Sequence, residues 1–306
     1  MTSFIQNTDF FQGNNPETIA SEYGTPVYVY NEKILRDRMA KVAKVITKYP
    51  YTANYSVKAN TNIHILKLAL EEGLNCDAMS VGEITLLMKA GFPVERIFFV
   101  PNNVAPYELA FALKNGVMTS LDSLSQLELF GEVCNQMKIE PAKRKCAVRI
   151  NPGVGAGHCE KVVTGGKKTK FGIAEYSIPQ IFEIAEKYQI TIAGINQHIG
   201  SLFMDPQPYL DAVTNLLRIA HQFKNLEFID FGGGYGIPYH KLDDEKDFPM
   251  EDFKSRLEPI LDEFVASYGK APLFKSEPGR FCVAEGSVIL GRVHATKENS
   301  GIQFAG

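Results

Sequence analysis

Residues 51–58 read Tyr-Thr-Ala-Asn-Tyr-Ser-Val-Lys, a short run rich in aromatic and apolar residues that ends on a lysine. A helical pattern at Ile63–Glu72 follows it, and this alternation of strand-like runs and helical stretches continues to residue 277. Such alternation is typical of a parallel sheet with crossover helices. Because the chain contains eight strand-like runs in this region, a closed barrel fits better than an open sheet. We therefore predict an α/β protein with a (β/α)8 barrel of the TIM type.

The predicted strands are short and separated by helical patterns. The strand candidates are Tyr51–Val57, Asn75–Met79, Arg96–Val100, Val117–Leu121, Cys146–Ile150, Ile190–His198, Glu227–Phe231 and Leu273–Glu277. The helical stretches include Ile63–Glu72, Val81–Ala90, Tyr107–Lys114, Ser123–Met137, Ser177–Lys187 and Tyr209–Phe223. Before the barrel, Pro26–Tyr30 is predicted as a strand and Glu32–Lys48 as an amphipathic helix.

The pattern changes after Glu277. Phe281–Ala284 and Ser287–His294 are predicted as β-strands without a helix between them. Two or three strands cannot bury a core of their own. We therefore expect a barrel over residues 31–280 and a partial all-β domain built from residues 1–30 and 281–306, packed on the barrel or on another subunit. The remainder of that β-domain is expected to be absent from this chain.

The composition is that of an ordinary water-soluble globular protein. Of the 306 residues, 45% are hydrophobic and 22% are charged, and the net charge is −3 with scattered basic residues. Nothing indicates binding to nucleic acid or to an anionic membrane. No apolar run is long enough to span a membrane, and the first residues do not resemble a signal peptide. We therefore expect a cytoplasmic protein.

The cysteine and histidine pattern predicts neither disulfides nor a metal. The five cysteines are odd in number and include no Cys-x-x-Cys pair, which disfavours disulfides and structural zinc. His158 and Cys159 are adjacent, but no further ligand lies at metal-binding spacing.

Polar and glycine-rich segments follow several of the predicted strands, where barrel enzymes place their active sites. Lys58 ends the first strand. Partial burial there would make a neutral amine available to attack an aldehyde, although a lysine at a strand end can also extend its ammonium group into solvent. The run Gly232-Gly-Gly-Tyr-Gly236 follows the seventh strand and could bring backbone N–H groups close to a phosphate, or it could be a flexible turn. The run is a poor match to a dinucleotide-binding fingerprint, because Ile237 stands where that motif has its third glycine.

Three further groups could complete such a site. Glu277, in Glu277-Pro-Gly-Arg280, could pair with a pyridine nitrogen, and Arg280 could bind a phosphate or carboxylate; an ordinary turn with a surface ion pair is the alternative. His198 could stack on a cofactor ring and Ser201 could donate to a phosphate, whereas a lone histidine is more often part of the core. Asp77 and Arg149 could support the site or pair inside the barrel.

In these segments the sequence resembles the fold-type III pyridoxal-phosphate decarboxylases, which include the ornithine and arginine decarboxylases, and is most similar to the diaminopimelate decarboxylases. The matching stretches, in family order, are residues 23–30, 55–60, 76–83, 149–153, 170–173, 198–201, 230–239 and 277–280.

The resemblance implies a pyridoxal 5'-phosphate enzyme in which Lys58 binds the cofactor covalently and His198 stacks on its ring. It also implies catalytic roles for Lys58, His198 and Glu277, with Glu277 at the pyridine nitrogen and Arg280 also contacting substrate. The implied cofactor-binding residues are Lys58, Asp77, Arg149, His198, Ser201, Gly233, Gly234, Glu277, Pro278, Gly279 and Arg280.

The implied reaction is the conversion of meso-diaminopimelate to L-lysine and CO2, in lysine biosynthesis. The implied assembly is a homodimer with the active site at the interface. Alternatives are decarboxylation of ornithine, lysine, arginine or a related substrate, and a non-catalytic cofactor-binding or regulatory homologue. Glu277 argues against an alanine-racemase-like enzyme, since that family typically places arginine at the pyridine nitrogen.

Overall fold

A computed structural model describes residues 9–153, 164–166, 169–239 and 246–306 of the chain. Eight parallel strands close into a barrel in sequence order, with the last strand beside the first. Those strands are β2 (Tyr51–Ser56), β3 (Asn75–Ala78), β4 (Ile97–Phe99), β5 (Met118–Leu121), β6 (Lys145–Arg149), β7 (Thr191–Asn196), β8 (Phe228–Asp230) and β9 (Leu273–Ser276). The predicted (β/α)8 barrel is confirmed, and each observed strand overlaps its predicted run.

Helices connect the strands and cover the outside of the barrel. Several begin with an N-cap side chain: Ser80 accepts from the N–H of Glu83 at 3.2 Å, and Ser123 accepts from that of Gln126 at 3.2 Å. The helices described are α1 (Pro16–Tyr23), α2 (Glu32–Val42), α3 (Ile63–Glu71), α4 (Val81–Ala90), α5 (Pro106–Asn115), α6 (Leu124–Gln136), α7 (Ile178–Tyr188), α8 (Gln207–Ala220), α9 (Met250–Tyr268) and α10 (Arg280–Val283).

The structure differs from the sequence expectations at several individual elements. Phe281–Ala284 is not a strand, because Arg280–Val283 forms the short helix α10, with its last three residues buried. The helix that begins at Glu32 ends at Val42 rather than Lys48. The long helix α9 was not predicted, and it contains Pro259, a residue that ordinarily disfavours a helix interior.

The two ends of the described chain meet beside the barrel. Strand β1 (Val27–Tyr30) pairs antiparallel with β10 (Ser287–Leu290), with Val27 opposite Leu290. Strands β11 (Thr296–Asn299) and β12 (Ile302–Ala305) form a separate, fully exposed hairpin. Strand β10 ends at Leu290, whereas the strand predicted from the sequence continues to His294.

The barrel interior divides into an apolar end and a polar end. Phe98, Val100, Ala147, Ala193 and Phe228 form a buried cluster separate from the main core between strands and helices. Nearer the carboxyl ends of the strands, buried polar side chains replace the apolar ones; they include Asn54, Ser56, Asp77, Ser120, Arg149, Asn196, Asp230 and Glu277. Buried polar groups are costly without partners, so this end of the barrel is where a ligand site is expected.

Within the described ranges, no helix combines the length and the apolar composition needed to cross a lipid bilayer.

Two helical glycines offer a matched test of packing around the barrel. A Cβ atom added to Gly131 in α6 would lie 2.3 Å from Cγ of Tyr188, whereas one added to Gly82 in α4 would lie 3.7 Å from Oγ of Ser80. We expect Gly131→Ala to lower the free energy of unfolding by about 1–3 kcal/mol through overpacking. Gly82→Ala should be neutral or stabilise by up to about 1 kcal/mol through helix propensity.

Urea denaturation of the two variants and the wild type measures both effects. Equal or greater stability of Gly131→Ala would contradict the contact between α6 and Tyr188.

Candidate active site

Lys58 lies at the mouth of the barrel, in a short 3₁₀ turn that directly follows β2. The turn spans Val57–Ala59, and the hydroxyl of Tyr55 donates to the carbonyl of Asn60 at 2.9 Å to hold the chain beyond it. The side chain of Lys58 is exposed. The expected partial burial of this lysine is therefore wrong: the turn carries it past the strand end and out into the cavity described below.

Glu277 lines the same opening, directly after β9, the strand that pairs with β2. It is 5% exposed, and its Oε1 atom is buried without a hydrogen-bond partner among the described residues. Burial raises the pKa of this carboxyl group, and the negative charge of Asp230 raises it further; Lys58 and Arg149 act in the opposite sense. The site thus contains a buried acceptor that favours a cationic donor from a ligand.

The loop after Glu277 packs tightly against the turn that carries Lys58. The N–H of Ser56 donates to the carbonyl of Pro278 at 3.1 Å. A Cβ atom at Gly279 would lie 2.9 Å from Cβ of Ser56 and 3.2 Å from Cβ of Ala59, so a side chain there would push the two loops apart. The glycine therefore allows the loops after the first and last barrel strands to approach each other.

The glycine run after β8 forms the floor between these loops. Gly232 and Gly234 adopt positive φ angles of 75° and 115°, which side chains disfavour. A Cβ atom at Gly233 would lie 1.8 Å from the carbonyl oxygen of Glu277. The carbonyl of Gly232 accepts from the N–H of Glu277 at 2.9 Å and from the hydroxyl of Tyr209 at 2.9 Å. The glycine run is thus held in place from both sides.

His198 has a fixed orientation above this floor. The N–H of Gly233 donates to its Nδ1 atom at 3.3 Å, so Nδ1 acts as an acceptor and Nε2 is left to carry the ring proton. Burial lowers the pKa of His198, and the positive charges of Lys58 and Arg149 lower it further. The imidazole is therefore neutral near pH 7 and available as a flat stacking surface.

Arg280 projects towards Tyr239 at the rim of the site. Its Nη1 atom donates to the hydroxyl of Tyr239 at 2.6 Å, while its buried Nε atom has no hydrogen-bond partner in the described part of the chain. Tyr239 was not singled out as a site residue from the sequence, although it lies in the stretch that matches the family at residues 230–239. The unpaired donor indicates that Arg280 can bind an anionic group.

Asp77 and Arg149 lie deeper in the barrel than the residues above. Asp77 accepts a hydrogen bond from Oγ of Ser56 at 3.0 Å, and burial followed by the charge of Glu277 raises its pKa. The guanidinium group of Arg149 lies 4.8 Å from the ring centre of Phe171. Burial lowers the pKa of Arg149, while the carboxyl groups of Glu277 and Asp122 act in the opposite sense. Neither residue lines the opening, but Asp77 interacts electrostatically with Glu277, and the charge of Arg149 affects the pKa of both Glu277 and His198.

A cavity of about 400 Å³ joins these groups at the carboxyl end of the barrel. Of the residues predicted from the sequence, seven line it: Lys58, His198, Ser201, Gly234, Glu277, Gly279 and Arg280. Asp77, Arg149, Gly233 and Pro278 do not line it and instead support residues that do. Sequence reasoning missed the other eight lining residues, which are Ser56, Ala59, Asn60, Tyr235, Tyr239, Val283, Ala284 and Ser287. Ser56 could have been found, because it is a polar residue at the carboxyl end of a barrel strand, where such barrels place their sites.

The cavity fits the pyridoxal phosphate that the sequence predicts. It offers an amine and an unsatisfied buried carboxylate oxygen from neighbouring strand ends, a neutral imidazole as a stacking surface, and Ser201 and Arg280 as donors for an anion. Its volume lies in the range typical of sites for small ligands and cofactors. His158 and Cys159 lie outside the described residues. Among the described residues, no group of three His, Cys, Asp or Glu side chains could hold a metal ion.

Comparisons with known proteins find one family over most of the chain. The family model described as the pyridoxal-binding domain of pyridoxal-dependent decarboxylases matches residues 32–284. The chain is 38% identical over 302 residues to a diaminopimelate decarboxylase of Methanothermobacter thermautotrophicus, an alignment that covers 96% of this chain and 68% of that protein.

Solved structures show the same relationship. A diaminopimelate decarboxylase from Helicobacter pylori, complexed with L-lysine, superposes with a TM-score of 0.83 at 26% identity, covering 98% of this chain and 72% of that chain. One from M. jannaschii in co-complex with L-lysine gives a TM-score of 0.84 at 28% identity, covering 96% of this chain and 69% of that chain.

The buried carboxyl group of Glu277 makes a prediction about stability in the ligand-free protein. Its pKa is raised in the folded state, so the folded protein binds more protons than the unfolded chain, and the free energy of unfolding falls as the pH rises from about 5 to 8. Glu277→Gln removes this dependence. We expect the variant to gain about 1–3 kcal/mol relative to wild type between those pH values.

Urea denaturation at each pH gives the measurement, and Glu132→Gln, at an exposed position on α6, is the control. A constant difference in stability between Glu277→Gln and wild type would show that the carboxyl group is already ionised in the folded protein.

Proposed function

The chain belongs to the pyridoxal-dependent decarboxylases, and we propose that it uses pyridoxal 5'-phosphate to remove CO2 from meso-diaminopimelate, giving L-lysine. The observation that carries the proposal is the position of Lys58 and Glu277 on the lining of one cavity. The substrate rests on the similarity to diaminopimelate decarboxylases, two of which have solved structures with L-lysine bound. The product places the reaction in lysine biosynthesis.

The cofactor, when bound, withdraws the electron pair left behind when the bond to the carboxyl carbon breaks. Lys58 is the amine that binds the cofactor covalently, and its exposure to the cavity leaves it accessible to an aldehyde. Glu277 holds a proton on the cofactor's ring nitrogen, since its buried Oε1 atom lacks another donor among the described residues. The neutral imidazole of His198 stacks on the ring and adds no positive charge beside Lys58.

Arg280 and Ser201 bind the anionic groups in this proposal. The side chain of Ser201 donates to the cofactor phosphate. Arg280 has one unpaired Nε atom and one Nη1 atom bound to Tyr239, so it can contact both the cofactor and a substrate carboxylate. Asp77 and Arg149 keep their supporting role below the site, and Gly233, Pro278 and Gly279 hold the loops in place.

We further propose that residues 31–280 form the cofactor-binding barrel domain and that residues 1–30 and 281–306 belong to a β-domain. A homodimer with the active site at its interface and a cytoplasmic location are proposed on the family resemblance. The exposed apolar residues of β10 and β12 near the chain end, among them Ile289, Ile302 and Phe304, favour an additional contact surface there.

Covalent cofactor attachment tests the role of Lys58. After incubation with pyridoxal 5'-phosphate and reduction with borohydride, we expect one cofactor mass on the peptide that contains Lys58. Lys58→Ala should lose this modification, because the amine that attacks the aldehyde is removed. It should also lose the absorbance of the lysine-bound cofactor near the short-wavelength end of the visible range. Lys67→Ala, at an exposed position on α3, is the control and should retain both. Unchanged absorbance and labelling in Lys58→Ala would refute the assignment.

The reaction itself is tested with a panel of amino acids. We expect CO2 release from meso-diaminopimelate, with a kcat/KM at least about tenfold above the values for ornithine, lysine and arginine, because only diaminopimelate carries a second carboxylate for an arginine to bind. Inversion at Cα without loss of mass would instead indicate a racemase. Cofactor binding without CO2 release from any substrate would indicate a non-catalytic homologue.

A further inference from the structure

A second cavity, of about 600 Å³, opens at the amino-terminal end of the barrel. Its inner wall includes the first residues of three barrel strands, namely Met118 of β5, Phe228 of β8 and Leu273 of β9. The cavity that contains Lys58 lies at the carboxyl ends of the strands, so the barrel interior separates the two. None of the residues that line the second cavity takes part in the proposed function.

Lys275 extends from the middle of β9 into this second cavity. It stands opposite Asp230 on the neighbouring strand β8, whereas Leu273, two residues earlier, stands opposite Phe228. The Nζ atom of Lys275 lies 3.9 Å from the ring centre of Phe228 and 5.0 Å from that of Phe98. The side chain therefore runs along the inside of the barrel towards its amino-terminal end, away from the proposed active site.

The ammonium group of Lys275 lacks a bonded anion in the described part of the chain. The residue is only 9% exposed, and Nζ contacts the two aromatic rings without a hydrogen bond or an ion pair to a described residue. Asp230 accepts instead from the N–H of Gly232 and from Nδ2 of Asn54. Burial lowers the pKa of Lys275, while the charges of Asp230 and Glu277 act in the opposite sense. An anion bound in the cavity would reduce the cost of burying this cation.

The other residues that line the cavity give it an apolar wall and a balanced set of exposed charges. The apolar lining residues are Leu113, Val117, Met118, Ile139, Phe228 and Leu273. The exposed charged ones are Glu95, Lys143, Lys145 and Glu227, and Lys145 pairs with Glu227 at 2.6 Å. Because two of these are acidic and two are basic, Lys275 gives the lining its net positive charge. The volume is typical of sites for small molecules.

We propose that this cavity binds a small carboxylic acid with an apolar body, whose carboxylate accepts a hydrogen bond from Nζ of Lys275. A hydrogen bond between opposite charges is stronger than one between neutral groups, and the cavity wall shields it from water. The apolar body packs against Leu113, Met118 and Leu273 and removes their surfaces from water. A single carboxylate fits better than a phosphate dianion, because the described lining contains one buried cation and no arginine. The site is independent of the proposed function.

Octanoate and octylammonium test the site in the wild-type protein, because they share one apolar body and carry opposite charges. By isothermal titration calorimetry at about pH 7.5, where the carboxylate is ionised, we expect one octanoate per chain with a Kd of about 0.1–1 mM. Octylammonium should bind at least about tenfold more weakly, because Lys275 repels it. Equal or tighter binding of octylammonium, or no binding of octanoate, would overturn the proposal.

Lys275→Met tests the contribution of the charge. Methionine keeps an unbranched side chain against Phe98 and Phe228 and removes the ammonium group. We expect the Kd for octanoate to rise about ten- to hundredfold, because the charge-assisted hydrogen bond is lost. The Kd for 1-octanol should change by less than about threefold, because its apolar contacts remain. Equal rises for octanoate and octanol, or no rise for octanoate, would overturn the role of Lys275.

Two further variants show where octanoate binds. Lys187→Met, which removes an exposed lysine on α7 that pairs with Glu128 at 3.5 Å, should keep the wild-type Kd. Lys58→Ala should also bind octanoate as the wild type does, because Lys58 lies at the other end of the barrel. Weaker binding in Lys58→Ala would place octanoate in the proposed active site and overturn the inference. If Lys275→Met does not fold, Lys58→Ala and the comparison of octanoate with octylammonium still decide the question.

Discussion

Closure of the barrel between its first and last strands is the constraint on which the site depends. Strand β2 pairs with β9 from Tyr51 opposite Phe274 to Ala53 opposite Ser276. Beyond the last pair, the N–H of Ser56 reaches the carbonyl of Pro278, and Gly279 leaves room for the contact. Lys58 and Glu277 are more than two hundred residues apart in the chain, and this closure brings them to one cavity. A barrel left open between these strands would contain both residues but no site.

The site requires buried charge, and the rest of the barrel compensates for its cost. Asp77, Asp230 and Glu277 are each no more than 5% exposed, and burial raises the pKa of all three. Such groups weaken a fold unless they are hydrogen-bonded or matched by opposite charge. The apolar end of the barrel, and the packing of Tyr209 against Tyr235 of the glycine run, supply tight contacts close by. The buried carboxyl groups are thus concentrated at the end of the barrel that contains the cavity.

The sequence predicted the barrel and seven of the fifteen residues that line the cavity, because both depend on local patterns. A strand that ends on a polar residue places that residue at the barrel mouth, as Glu277 shows. The errors arose where local pattern and tertiary context disagree. Phe281–Ala284 has the composition of a strand but follows a tight turn and is buried as a helix. The position of Lys275 opposite Asp230 depends on strand register, which a single strand does not reveal.

The glycines of the run after β8 have steric roles besides the phosphate contact that the sequence predicts. From the sequence, Gly232–Gly236 was interpreted as bare backbone for a phosphate. In the structure each glycine also meets a separate steric demand: Gly232 and Gly234 need positive φ angles, and Gly233 lies against the carbonyl oxygen of Glu277. The N–H of Gly233 is directed to His198, so it orients the imidazole instead of facing an anion. A side chain at Gly233 would therefore displace the Glu277 segment and His198 together, which couples these two parts of the cavity lining through one residue.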